Sequence, residues 1–255
     1  MSEALTQRID RLVGILRELR PSQLHWFEKV AAALVATPSF ALHRQDLLDS
    51  TSLFDFGDVL RIHHAFSAEP FTKDKFEYAL VHVLKQRGVE AALAAKGNPG
   101  HDVTVAGQRL SLKTQADKGI KTAEVWISKF MELGKGNWGD DPADLKPLRA
   151  LFLEHLKRYD RIFSLRAISK APVWHYELVE IPKSVFERAR KGRLEMKLDS
   201  RQSPKPGYCH VSAADGSALF QLYFDAGSEQ KLQVKALQKS ACVLHAEWKF
   251  TVPPT

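Results

Sequence analysis

Apolar and polar positions in the first 36 residues alternate with helical spacing. Ile9, Leu12, Val13, Leu16 and Leu19 recur three to four residues apart, and Pro21 opens a second run through Trp26, Val30, Leu34 and Val35. Residues 2–36 are therefore expected to be helical. From Phe54 to Ala68, a stretch that holds FDFGDVL and the adjacent His63 and His64, no period persists long enough to define an element. It reads as irregular or briefly helical. The pattern strengthens from Phe71 to Gly88. There Thr72 can cap a helix whose Phe76, Ala79, Leu80, Val83 and Leu84 share one face, with Glu77 beside that face and Gly88 as the stop.

After a loop containing Asn98, Pro99 and Gly100 the period falls to two. Val103 and Val105, a turn at Ala106 and Gly107, then Leu110 and Leu112 predict a hairpin. Residues 121–129 predict a further strand, Val125 and Ile127 alternating with Glu124, Trp126 and Ser128. GKGNWGDDP is a loop, and Asp141 and Pro142 start a helix reaching about Tyr159. Apolar strands follow near 162–168 and 173–181, then a short helix from Pro182 and short strands through the C-terminal third. These elements describe an α/β fold: a mixed β-sheet flanked by helices, with an N-terminal helical lead-in and a β-rich C-terminal part. Residues 1–70 form the mainly helical region and 71–255 the core with its C-terminal recognition elements, together expected to be one continuous domain.

Composition narrows the class. The 255 residues are 44% hydrophobic, enough for a substantial interior. Lys and Arg number 37 against 30 Asp and Glu, a formal charge of +7, and the basic residues are threaded through patterned segments. That is a folded basic surface suited to a polyanion, not a solvated tail. The two cysteines, Cys209 and Cys242, lie in strand-like stretches. They exclude a disulfide framework and a Cys-rich zinc site, and fit a reducing cytoplasm. No apolar signal region and no membrane-length apolar run is present, so secretion and membrane anchoring are not expected.

The hairpin carries the candidate chemistry. Leu110 and Leu112 point one way, which sends Ser111, Lys113 and Gln115 to the opposite face, and the turn brings Asp102 toward Lys113. Hydrolysis of a phosphodiester calls for a hard divalent cation, and carboxylates with backbone carbonyls supply the oxygen ligands Mg²⁺ prefers. Asp102 is the natural ligand and Glu77, on the preceding helix, can add a second carboxylate. The Lys113 ammonium can orient or deprotonate the attacking water and offset charge in the transition state. The bland alternative is that Asp102 caps a turn and Lys113 is a solvated strand residue. Among His63, His64, His82 and His101, no pair has the spacing of a zinc helix with a glutamate between, so no zinc is expected. His101, beside Asp102, can contact a phosphate. Trp126 and Trp138 read as packing residues.

The segment NPGHDVTVAGQRLSLKTQ resembles the active-site hairpin of the PD-(D/E)xK nuclease superfamily, with Asp102 and Lys113 at the positions of its first Asp and final Lys. Two departures stand out: the proline is Pro99, not adjacent to the Asp, and Ser111 replaces the usual second acid. Glu77 is the first candidate to replace that acid and Gln115 a distant second. The superfamily pattern also implies the backbone carbonyl of Leu112 as a metal ligand. FDFGDVL, FTKDKFEYAL, SKFMELGKG, FLEHLKRYDRIFSLR, YELVEIPKS, QSPKPGY and LYFDAGSEQKLQVKAL extend the likeness, in collinear order, to the SmaI family of type II restriction endonucleases. The resemblance implies a PD-(D/E)xK core and a homodimer that requires Mg²⁺. It also implies cleavage of double-stranded DNA at the centre of CCCGGG, leaving blunt ends.

A guanine-rich site calls on Arg or Lys reaching O6 and N7 in the major groove. Arg201, Gln202, Ser203, Lys205, Lys231, Gln233 and Lys235 are the candidates, QSPKPGY foremost, although a rigid surface turn touching only phosphate explains that segment equally well. Two rival functions share the pattern: a MutH-like repair enzyme nicking one strand as a monomer, and a catalytically silent DNA-binding module for which the missing acid at Ser111 is the warrant.

Overall fold

The computed structural model describes residues 2–95, 97–98, 100–117, 119–134, 136 and 138–252. Pro99 of the hairpin motif and Lys135 and Asn137 of the Gly-rich loop lie outside them. The chain begins with α1 (Glu3–Arg17) and α2 (Pro21–Val35), as the spacing predicts. Strand β1 (Ser39–Leu42) and helix α3 (Ser50–His64) follow, then α4 (Lys73–Gln86) and β2 (Ala91–Leu93). The hairpin is β3 (Val103–Val105) and β4 (Gln108–Gln115), and β5 spans Glu124–Glu132. A short 3₁₀ turn, Pro142–Leu145, leads into α5 (Lys146–His155), then β6 (Arg161–Ser169), β7 (Val173–Glu180) and α6 (Lys183–Glu187). The C-terminal third holds β8 (Arg193–Met196), β9 (Gly207–Ser212), β10 (Ala218–Asp225), β11 (Lys231–Gln238) and β12 (Val243–Thr251).

The strands form a seven-stranded sheet in the order β1-β12-β7-β6-β4-β3-β2 and a five-stranded sheet in the order β5-β11-β10-β9-β8. Only β4 and β6 pair in parallel among the described residues; the other pairings are antiparallel. Strand β6 is buried on both faces. Phe163 and Leu165 join one core with α3, α4 and Trp248, while Ile162 joins the second core with β5, α5, α6 and the five-stranded sheet. The large sheet is thus flanked by helices on one side and by the second sheet with two helices on the other. This is the expected mixed α/β arrangement, and β1 ties the N-terminal region to it by pairing with β12.

Three expectations are corrected. Residues 54–64, read as irregular or briefly helical, belong to the 15-residue helix α3, while 65–68 follow it outside any helix or strand; α3 is capped where Ser52 N donates to Asp49 Oδ1 at 2.6 Å and Asp49 N donates to Ser52 Oγ at 2.8 Å. Its buried face runs through Leu53, Phe56, Gly57, Leu60, Arg61 and His64. The spacing is helical, but three of those six are Gly, Arg and His, so a hydrophobic pattern does not register it. The strand expected at 121–129 begins three residues later, because the carbonyls of Lys121, Thr122 and Glu124 accept from the buried Arg166 guanidinium and those of 121 and 122 are held there outside any strand. Cys242 precedes β12 instead of lying in a strand, and both cysteines are free. Helix α1 buries none of its residues, so its predicted apolar stripe faces solvent. No helix among the described residues is long and apolar enough to cross a membrane.

Candidate active site

The hairpin folds as its turn residues require. Ala106 and Gly107 both adopt positive φ, 46° and 79°, the two-residue geometry that matches strand twist, and Val105 pairs with Gln108. Leu110 and Leu112 enter the first core. Asp102 lies just before β3, yet its peptide is locked into the sheet: its N–H donates to Leu110 O and its carbonyl accepts from Ala94 N, both at 2.9 Å. The carboxylate is oriented in turn, because Leu112 N donates to Oδ2 at 2.6 Å.

Around Asp102 three charged side chains converge. Lys113 Nζ lies 3.8 Å from Oδ2 and donates to Ser111 Oγ at 2.9 Å. Lys73, in the first turn of α4, donates to Oδ1 at 2.6 Å and pairs with Glu77 Oε1 at 2.8 Å. The structure therefore brings Asp102, Lys113 and Glu77 to one place. Gln115 is engaged elsewhere: its Oε1 accepts from Arg166 Nε at 3.0 Å and from Trp126 N at 3.2 Å.

The polar face of β4 is not open to solvent along its length. Ser111, Lys113 and Gln115 are buried, and Phe130 of β5 packs with its ring 5.6 Å from Lys113 Nζ. Burial lowers the Lys113 ammonium's pKa to about 8, the Asp102 charge opposing it. Burial also raises the Glu77 carboxyl, with Lys73 opposing and Asp102 adding. Lys73 goes the other way: burial works against its charge, but its pairing with the Asp102 and Glu77 carboxylates outweighs this and raises its pKa.

Water reaches this cluster through a cleft of about 560 Å³ lined by Lys73, Asp102 and Lys113 on one side and by Lys129, His155 and Arg158 on the other. Burial, with Lys113 and Arg158 nearby, brings His155 down to about 4, so its imidazole is neutral at ordinary pH. Sequence reasoning missed Lys73, Lys129, His155 and Arg158. The spacing of Lys73, four residues before Glu77 on one helix face, was the available signal for the first. For the other three, which come from β5, α5 and the turn after it, no local pattern exists. A larger hollow of about 650 Å³ beside Arg188, Arg190 and Arg193 lies away from Asp102 and offers no paired carboxylates.

The histidines flagged in the sequence are mostly structural. His64 stacks on Trp174 with ring centroids 3.5 Å apart and bonds Tyr176 OH and Ser67 O, and His63 bonds Glu69 O. His82 is exposed, and His101 contacts Asn98 at 3.2 Å. Two clusters with metal-like composition, Asp46–Glu180–His245 and His175–Glu177–Glu247, lie outside the cleft. Arg161 neutralises the first, while Arg166 and Lys239 pair with Glu177 in the second.

Residues 12–250 match the SmaI family, described as type II site-specific deoxyribonucleases. The chain belongs to this family. It is also similar to the type II restriction enzyme SmaI of Serratia marcescens, 39% identical over 249 residues that cover 97% of this chain and 99% of that protein. A solved restriction endonuclease in complex with substrate DNA aligns with 76% of this chain and 74% of its own, at 17% identity and a TM-score of 0.29. Membership of that family makes the enzyme a nuclease of the restriction type, and the silent DNA-binding alternative is set aside.

In the enzyme, of the residues expected to hold DNA, Lys231, Gln233 and Lys235 lie on β11 of the five-stranded sheet, and Arg201, Gln202, Ser203 and Lys205 lie in the loop between β8 and β9. Register places Lys231 opposite both Glu132 and Asp225, at the end of the sheet where β5 reaches the cleft. Gln202 and Gln233 each donate to Asp225, at 3.1 and 3.0 Å, and Lys231 pairs with Glu229 at 3.0 Å. Arg201 and Ser203 are exposed beside Trp138, whose Nε1 donates to Lys205 O. Lys205 Nζ is tied to Ser200 O at 2.6 Å. Lys235 lies farther along, 3.7 Å over the Tyr223 ring.

Proposed function

We propose that the enzyme cuts both strands of DNA at the centre of a short GC-rich palindrome, CCCGGG, with Mg²⁺ held by Asp102, Glu77 and the carbonyl of Leu112. The observation that carries this reading is that Asp102 and Glu77 bind one ammonium between them while Lys113 stands 3.8 Å from the same Asp102 carboxylate. The residues fit a hard cation: two carboxylates already draw a positive charge to one point, and Glu77 Oε1 is buried with no well-angled hydrogen bond.

Bound there, Mg²⁺ would supply Lewis acidity toward the phosphate and lower the pKa of water. The protein's own groups do the rest. Lys113, with its pKa near 8, holds an appreciable neutral fraction and can take the proton of the attacking water as its oxygen bonds to phosphorus and the P–O bond to the leaving sugar oxygen breaks, that oxygen taking a proton from solvent water. Ser111 accepts the Lys113 hydrogen bond and fixes where the amine points. Lys129 and Arg158 across the cleft offer cationic contacts to the phosphates on either side. Arg201, Gln202, Lys205, Lys231 and Lys235 are assigned to DNA binding.

A palindrome presents two equivalent half-sites, so the working unit is a homodimer with one catalytic cleft per strand. Sedimentation with cognate DNA should give a complex containing two chains; an active one-chain complex would favour the monomeric nicking reading. The free cysteines suit a cytoplasmic setting. Plasmid incubated with metal-stripped enzyme should stay supercoiled, and adding Mg²⁺ should convert it to linear DNA. Cleavage that persists under strong chelation would overturn the metal assignment.

A further inference from the structure

The Glu77 and Asp102 carboxylates meet across the ammonium of Lys73, 2.8 Å from Glu77 Oε1 and 2.6 Å from Asp102 Oδ1. We propose that Lys73 is a built-in substitute for the divalent cation: in the metal-free enzyme its ammonium lies between the two carboxylates, keeps them converged, and is displaced when Mg²⁺ enters. This inference rests on the reading that Asp102 and Glu77 are the metal ligands.

Two carboxylates held together with side chains only 15% and 16% exposed repel each other and have lost most of their water. In the metal-free protein the pair therefore needs a cation of its own. Lys73 is placed to supply one, since positions 73 and 77 share a face of α4 and the start of β3 brings Asp102 within reach.

The contact is serviceable without being ideal. Glu77 Oε1 lies close to the ammonium yet makes no hydrogen bond of good angle, so one orbital demand of the carboxylate goes unmet.

The two lysines of the site differ in how easily they can move. Lys113 has a side chain 10% exposed and is anchored on Ser111, whereas that of Lys73 is 39% exposed and lines the cleft. An ammonium on a flexible four-carbon stem can withdraw toward water or toward a bound phosphate without disturbing the backbone. Lys73 is a positioning residue in this scheme: it acts through the geometry of Asp102 and Glu77.

The test measures Mg²⁺ binding to metal-stripped protein by calorimetry for the wild type, Lys73→Met, Lys73→Arg and Asp102→Asn. Thermal melting and amine labelling of Lys73, read by mass spectrometry with and without Mg²⁺, run alongside. Lys73→Met should bind Mg²⁺ about tenfold more tightly, the scale on which neighbouring groups alter metal affinity. Its metal-free melting temperature should fall below that of the wild type and recover when Mg²⁺ is added, while Lys73→Arg stays near the wild type in both respects. Labelling of Lys73 in the wild-type enzyme should rise on Mg²⁺ addition, an arm that needs no variant to fold. Unchanged or weaker Mg²⁺ binding by Lys73→Met, or labelling that Mg²⁺ leaves unchanged or reduces, would overturn the substitute-cation role alone. A wild type that binds no Mg²⁺, or an Asp102→Asn variant that binds it as tightly as the wild type, would instead overturn the ligand assignment on which the inference rests.

Discussion

Asp102 illustrates how much of the site one residue can organise. Its peptide is fixed by Leu110 and Ala94, its Oδ2 by the Leu112 amide, and its remaining oxygen by Lys73. Asp102→Ala and Lys113→Ala should each lower cleavage by at least about 10³-fold, the loss expected when a metal ligand or a group stabilising the transition state is removed. Near-native circular dichroism with inactive protein is the expected pairing, because neither side chain is part of the apolar cores. Glu77→Gln keeps shape and removes charge, so Mg²⁺ affinity and cleavage should fall together while DNA binding in Ca²⁺ persists; a fully active Gln variant would make Glu77 an ordinary helix residue. That Asp102 and Lys113 come together was legible because hairpin alternation and a two-residue turn fix both faces, whereas the role assigned to them rested on the likeness to the PD-(D/E)xK hairpin. The contribution of Ser111 was not: as an acid it is missing, and only the folded arrangement reveals it as the acceptor that aims Lys113.

Elements were legible in proportion to how apolar their buried faces are. Helix α4 and the hairpin bury long apolar rows, and their limits fall within a few residues of the expected ones. Helix α3 was hidden because it buries Gly, Arg and His: Arg61 satisfies the end of α2 by donating to Ala33 O at 2.9 Å, and His64 is sandwiched among aromatic rings. Gly57 is there because a β-carbon would stand 2.8 Å from Trp248 Cδ1 and overlap the Phe40 ring. Gly57→Ala should therefore push α3 off the β12 side of the sheet and cost about 1–3 kcal/mol of stability, as overpacking does. Urea unfolding measures this directly, and a variant as stable as the wild type would mean that the interface has slack. The cleft wall from β5 and α5 could not be read locally, since Lys129, His155 and Arg158 meet Asp102 only through the packing of the second sheet and its helix on the first.

At the scale of the molecule, two sheets and their helices enclose ionisable groups whose titration couples to folding. His64 is held near 4 by burial, below its ordinary 6.5, despite its bond to Ser67 O. The unfolded chain takes up that proton first, so the stability from a neutral His64 is complete above pH 6.5 and is lost as pH falls toward 4. Burial alone would raise Glu180, but Arg161 and His245 bring it to about 2, so its contribution is complete above its ordinary 4.5 and is lost as pH falls toward 2. Melting temperature should therefore decline in two overlapping stages below pH 6.5, and His64→Gln should shrink the upper one, to which His155 also contributes; a flat profile from pH 7 to 4 would contradict this. On the proposed function both strands are cut in one encounter, which a twofold assembly on a palindrome would provide. The most direct measurement is to digest supercoiled plasmid carrying a single CCCGGG with Mg²⁺ and sequence both ends of the product. Linear DNA with blunt ends between the central C and G is the predicted result, and nicked circles, scattered ends or cleavage at an unrelated sequence would contradict it.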